Sequence, residues 1–235
     1  MTKLEIPSLA RHEKELSREL ARNYNSQTMQ KIFPKLTKKE VAIFRRLNTP
    51  RKIQDFLNKI PQNFERRGET CMSPRRILRE NTAHCIEGAL FASAVLWYHG
   101  KRPLLMHFVT IGKDQDHVVA LFKENGLWGA ISKTNHAVLR YRDPVYKTPR
   151  ELAMSYFHEY FLPGGRKNML GYTEPIDLSK IGTGGWIIDE KDLWKINDLL
   201  FHTPHKPVAP KAAMRRLRPA DAVERKYSDI TEWGK

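Results

Sequence analysis

The chain holds two cysteines, and one of them stands where a thiol could do chemistry. Cys85 opens the stretch "HCIEGALFASAVLWYHG", whose small and apolar residues predict a long helix ending at Gly100, with Pro103 beyond it. A thiol attacks only as thiolate. The start of a helix supplies unpaired N–H groups and the positive end of a dipole, and both lower a thiol pKa. Cys71, in "GETCMSPRR", is read as part of a polar loop before a helix cap, with no comparable setting. A working cysteine also needs a base. His117 opens the strand "HVVALF" behind the charged lead-in "KDQD", so its side chain projects from the sheet edge toward a helix terminus. The turn at Asn125-Gly126 then returns the chain so that residues from about 132 to 134 lie opposite His117. Ser132, Thr134 and Asn135 are the residues there that could fix the imidazole tautomer.

Each of these residues has a plainer reading. A cysteine in an apolar helix is usually core, and only the conjunction with a strand-opening histidine and a hairpin of the right length favours a Cys85–His117 pair. His84 is either a second cation beside the thiol or part of the helix cap. Glu87 either pairs with a basic neighbour at the helix N-terminus or, on the plainer reading, is favourable charge in a first helical turn. Cys71, His84, Cys85, His99, His107 and His117 fall in one region without a CxxC or HxxxH arrangement, so neither metal nor cofactor is predicted. "IGTGGW" lacks the helix of a phosphate-binding loop and reads as a tight turn, and the rings of "SYFHEYF" read as core.

The elements that must position the pair follow from periodicity. Helices are predicted at about Leu4 to Tyr24 and Lys38 to Leu47, then from Thr49-Pro50 and from Ser73-Pro74, where a side-chain cap precedes proline in the first helical position. From Pro103 the period shortens to antiparallel strands, "LLMHFVTI", "DHVVALF" and "LWGAIS". A loop, "KTNHAVLRYRDPVYK", leads to a helix opened by Thr148, Pro149 and Glu151. "GGWIIDEKDLWKINDLLF" suggests a short strand and a last helix. From His202 the Pro-, Lys- and Arg-rich sequence reads as a mobile tail with room for one short helix. The fold class is therefore α+β, with a helical appendage at 1–29, a domain at 30–201 and a basic tail at 202–235.

The ordered set "HCIEGALFASAVLWYHGKRPLL", "DHVVALF" and "NGLW" resembles the transglutaminase-like superfamily of papain-type thiol enzymes, over roughly Thr49 to Asp143. The resemblance implies a papain-like core in which the nucleophile helix packs on an antiparallel sheet. It implies Cys85 as nucleophile and His117 as base. The family's orienting acid falls at Ser132, a serine in this chain; Asn135 offers a neutral amide acceptor, and Asp143 resembles the family's Asp-Pro pair displaced by a longer loop.

The 235 residues, 40% hydrophobic and 10% aromatic, suit a globular protein, and no apolar run is long enough for a signal core or a bilayer span, which predicts a cytoplasmic location and no membrane partner. Two cysteines exclude a disulfide framework. The net charge of +15 comes from 41 Lys+Arg against 26 Asp+Glu, scattered in pairs such as Arg66-Arg67 and Arg75-Arg76 rather than in one tract. Two function classes result. One is a cysteine-dependent peptidase, amidase or acyl transferase working through a thioester at Cys85, with the Cys85 N–H, and Asn81 as a candidate side chain, holding the oxyanion and a protein or peptide as substrate. The other is a catalytically silent domain whose basic surface binds nucleic acid or an acidic protein.

Overall fold

The computed structural model describes residues 33–111 and 116–234; the helix predicted at 4–24 and the 1–29 appendage lie outside the described residues. Helices α1 (Lys38–Arg46), α2 (Pro50–Lys59) and α3 (Pro74–Glu80) each begin where a hydroxyl accepts the N3 amide, at Thr37, Thr49 and Ser73. Helix α4 (Cys85–Tyr98) ends at His99, with Gly100 following at φ +75. From Ile86 to Trp97 every residue of α4 is buried, so this helix is apolar on all sides and forms the centre of a layer rather than its surface. Phe44, Leu47, Ile53, Leu57 and Ile77 of the preceding helices close around it, and Ile196 and Leu200 of α6 (Trp194–His202) complete the cluster.

The strands are β1 (Leu104–Thr110), β2 (His117–Glu124), β3 (Leu127–Ile131), β4 (Arg142–Tyr146), β5 (Met169–Thr173), β6 (Ile176–Asp177) and β7 (His205–Pro207). They form one sheet in the order β4-β3-β2-β1-β5-β7, with β6 pairing the start of β1, and every pairing is antiparallel. "HVVALF" is a continuous apolar run because both faces of β2 are covered. Val118, Ala120 and Phe122 pack with α4, whereas Val119 and Leu121 pack with Leu152, Ala153 and Tyr156 of α5 (Pro149–Phe157). The molecule is thus an α+β fold with helices on both sides of an antiparallel sheet. No helix among the described residues is long and apolar enough to cross a membrane.

Three segments differ from the sequence reading. "GGWII" is a turn and a 3-10 segment (Gly185–Ile187) rather than a strand: Gly184 adopts φ +71, and Trp186 stacks on Trp97 with ring centroids 6.3 Å apart. The loop before α5 contains β4, which accommodates Pro144 because it is the edge of the sheet and a missing N–H costs nothing on its outer side. The segment from residue 202, expected as an appended tail, adds β7 to the sheet, buries Val208 and Ala220, and continues through short helices α7 (Lys211–Met214) and α8 (Ala222–Ser228). Backbone pairing with β5 fixes this segment where its composition offers no hydrophobic period.

Candidate active site

Cys85 occupies the first position of α4, and His117 the first position of β2. They line one cleft of about 780 Å³ together with Asn63, His84, Asp116 and Lys133. The β2–β3 register pairs Ala120 with Ile131, so Ser132 is a diagonal same-face neighbour of His117. The His117 Nε2 lies 2.8 Å from the Ser132 Oγ. Direction is settled by the hydroxyl's other bond: Ser132 donates its single O–H to the Leu139 carbonyl at 2.5 Å, so it accepts from the imidazole. His117 therefore carries its proton on Nε2, which leaves Nδ1 for the thiol, and His117 hydrogen-bonds Cys85.

Ser132 is itself held tightly. The Gln54 carboxamide, from α2, accepts from the Ser132 N–H at 2.9 Å and donates to its carbonyl at 2.8 Å. Leu139 adopts φ +61, a strained conformation for a branched residue, and its N–H donates to the Glu159 carboxylate at 2.6 Å. Gly88 is required one turn into α4, because a Cβ there would collide with the stem of Lys133, the residue after Ser132. The Lys133 ammonium is buried, donates to the Ile60 carbonyl, and is lowered by that burial to a pKa of about 8.

On its other flank the thiol meets His84, whose Nδ1 is 3.9 Å from Sγ. The His84 Nε2 donates to the Thr70 carbonyl at 3.0 Å and lies 3.5 Å from carboxylate oxygens of both Glu65 and Glu87. Glu87 is buried and accepts from Asn63, Thr70 and the N–H groups of Met72 and His84. Burial opposes its charge, but the His84 imidazole and these donors hold its pKa at about 2. Burial likewise acts to lower the His84 imidazole, and is overcome by its bonds to Cys85 and Glu87, which raise it to about 11. Burial acts to raise the Cys85 thiol, and the hydrogen bonds and charges of His117 and His84 outweigh it, bringing the pKa down to about 5. The arrangement is a thiolate between two imidazoles, one steadied by a hydroxyl and the other by a buried carboxylate.

The structure thus brings Cys85, His117 and Ser132 together and leaves Asn135 and Asp143 apart from the imidazole. The Asn135 carboxamide is bonded at both ends to Trp233. Asp143 is exposed on the edge strand β4, outside the cleft. Asn81 is the exposed left-handed C-cap of α3, also outside the cleft. Cys71 lies in the loop before the Ser73 cap, but its side chain is fully buried and its backbone is tied to Asp192 and Leu193. Gln54 and Gln62 escaped the sequence reading, whose plainer account of Glu87 is first-turn charge rather than the partner of a basic neighbour. Glu87, three residues after the cap, carried the one available signal, a capping box that the structure extends into an ion pair with the cap residue itself. Gln62 lines the cleft with its Oε1 buried and without a hydrogen-bond partner.

His99 bonds the Phe44 carbonyl at the far end of α4, and His107 bonds His205 and Asp116 within the sheet. No group of three or more His, Cys, Asp or Glu among the described residues is arranged to hold a metal ion. Of the basic pairs, Arg75 and Arg76 are engaged by Glu40 and Asp192, while Arg66 and Arg67 are exposed. No protein-family model matches this chain, and no curated protein matches it.

Proposed function

We propose that the protein is a thiol enzyme of papain-like, transglutaminase-like type that cleaves or transfers an amide or related acyl bond. The observation that carries this reading is the Ser132 hydroxyl committed to Leu139, which makes it an acceptor for His117 and turns the imidazole's lone pair toward Cys85. The free Nδ1 of His117 takes the proton of the Cys85 thiol, and the thiolate attacks the substrate carbonyl, whose electron pair moves to its oxygen. The Cys85 N–H, unpaired within the helix at its first position, faces that oxyanion, and the Gln62 amide borders the same cleft. Collapse forms the thioester and expels the amine, which takes a proton from His117. Water or a second amine then attacks the thioester, gives its proton to His117, and releases the acyl group with the thiolate restored.

The group that orients His117 is the neutral Ser132 hydroxyl, and a second cation beside the thiolate is supplied by His84 above Glu87. This division lets His117 exchange protons while His84 keeps the thiol ionised. The test is labelling by an electrophilic acyl probe of the wild type, Cys85→Ala and His117→Ala. Labelling lost in both variants supports the reading, and labelling unchanged in His117→Ala breaks it. A wild type that takes no label but is retained on random DNA at low salt would favour the silent basic domain.

A further inference from the structure

Beyond α8 the chain does not leave the molecule. It lies antiparallel to residues 135–137 on the rim of the cleft that holds Cys85 and His117, bending at 232 and 233, and Thr231, Trp233 and Gly234 line that cleft. Thr231 bridges His136 antiparallel. Ala137 N–H donates to the Ile230 carbonyl and Glu232 N–H to the Asn135 carbonyl, both at 2.9 Å. The Asn135 carboxamide grips one residue from both sides, accepting from the Trp233 N–H at 2.8 Å and donating to its carbonyl at 3.0 Å. Upstream, His136 bonds the Ser228 carbonyl at 2.9 Å.

Nearly all of this grip is on backbone. Ile230 is 55% exposed, Thr231 and Glu232 are exposed, and only Trp233 is half-buried. The ion pair of Arg140 with Glu232 is solvent-facing. A segment fixed by main-chain hydrogen bonds with few buried apolar contacts belongs to the least stable part of a fold, and a rim that reads main chain accepts any extended sequence in its place. We propose that residues 134–137, with the Asn135 carboxamide as a two-point clamp, form a subsite for the backbone of an extended polypeptide, and that residues 230–234 of the chain occupy it as an intramolecular stand-in. The inference deepens the thiol-enzyme reading and rests on it in taking the cleft for a substrate cleft. A polypeptide seated on this rim runs along the mouth of the Cys85 site, and the tail must leave before it binds.

The experiment uses the full chain carrying Cys85→Ala, so that binding is measured without turnover, and a fluorescein-labelled, end-blocked peptide of sequence YSDITEWG. Glu232→Pro removes the N–H that bonds Asn135 and frees the rim, at an exposed residue. An attached tail competes at an effective concentration of about 1 mM, so the unaltered tail should hold the peptide's apparent Kd near that value and Glu232→Pro should tighten it by about tenfold or more. Adding Asn135→Ala should reverse the gain. A folded Glu232→Pro chain that does not bind the peptide, or binds it equally well after Asn135→Ala, overturns the proposal. Should Glu232→Pro not fold, amide exchange in the Cys85→Ala chain decides: excess peptide accelerates exchange at Glu232 and Trp233, or the proposal falls. Rapid labelling of Cys85 in the parent chain with no peptide binding sinks the subsite alone. Peptide binding with an inert Cys85 sinks the enzyme alone.

Discussion

Cys71 and Cys85 share a neighbour, the buried carboxylate of Glu87, and their thiols are driven in opposite directions. Around Cys71 burial is reinforced by the anions of Glu87 and Asp192, and the pKa rises to about 12. At Cys85 burial is also unfavourable, but the thiol lies between two imidazoles, of which His84 separates it from the carboxylate, and the pKa falls to about 5. The same negative charge therefore suppresses one thiolate directly and supports the other through His84. Burial alone does not tell a structural cysteine from a reactive one; what decides is whether the nearest charge is an anion or a cation held by that anion.

The contrast should be largest in alkylation by iodoacetamide at pH 7. The two pKa values give thiolate fractions differing by about 10⁵, of which the lower intrinsic nucleophilicity of the more acidic thiol returns about 10³. Peptide mapping should find Cys85 modified at least about 100-fold faster, with Cys71 untouched until denaturant is added. Comparable rates would erase the distinction. The Cys85 rate should be level from about pH 6 to 8 and fall about tenfold per unit below pH 5, as protons return to the thiolate.

His117→Ala separates base from cation. It should lower the rate of acyl-probe turnover by about 10² or more, while alkylation at pH 7 falls far less, because His84 still pairs with the thiolate. Equal losses in the two assays would mean that His84 contributes nothing to ionisation.

Glu87→Gln should move the two thiols toward each other. Without the carboxylate the His84 cation loses its partner and the Cys85 pKa rises, while Cys71 loses a neighbouring anion and its pKa falls. Alkylation of Cys85 at pH 5 should drop by about tenfold while the rate at pH 8 stays within about twofold. Stability should drop as well, by about 3 to 5 kcal/mol, since a buried ion pair is broken with its donors left facing an amide. The Glu87 carboxyl, depressed in the folded state, contributes stability that is present above its unfolded pKa near 4.5 and lost as the pH falls through about 2. The variant's deficit should therefore narrow in acid.

The parts of the site legible in sequence are those fixed by local rules. A helix start announced Cys85, an Asn-Gly turn announced the hairpin, and a short, β-rich apolar run announced β2, so that Cys85, His117 and Ser132 met as the spacing required. What sequence could not carry lies in long-range pairing. Gln54 reaches Ser132 across 78 positions, Asn135 meets Trp233 across 98, and β7 joins a strand more than 30 residues earlier with no apolar period of its own. Asn135 was a reasonable candidate by residue type. Its amide instead holds the chain's far end, a partner invisible to any local window. Glu87 misled in the other direction: first-turn charge usually faces water, and only the returning segment 61–72 buries it.

Ser132→Ala gives the smallest effect and the sharpest test of the hydroxyl's role. The substitution removes the acceptor at Nε2 and leaves the Leu139 carbonyl without its donor, but Gln54 still clamps the backbone of residue 132 by two bonds, so the strand end stays in place. Loss of one neutral hydrogen bond, about 1 kcal/mol, corresponds to a fall of about fivefold in acyl-probe turnover. Alkylation of Cys85 should be nearly unchanged, since His84 and Glu87 are untouched. Ser132→Asp should not improve on this variant, although it supplies the missing carboxylate, because its oxygen would face the Leu139 carbonyl that now receives a proton. An aspartate that accelerates turnover would show that Leu139 yields, and that the hydroxyl at position 132 limits the proposed reaction rather than completing its site.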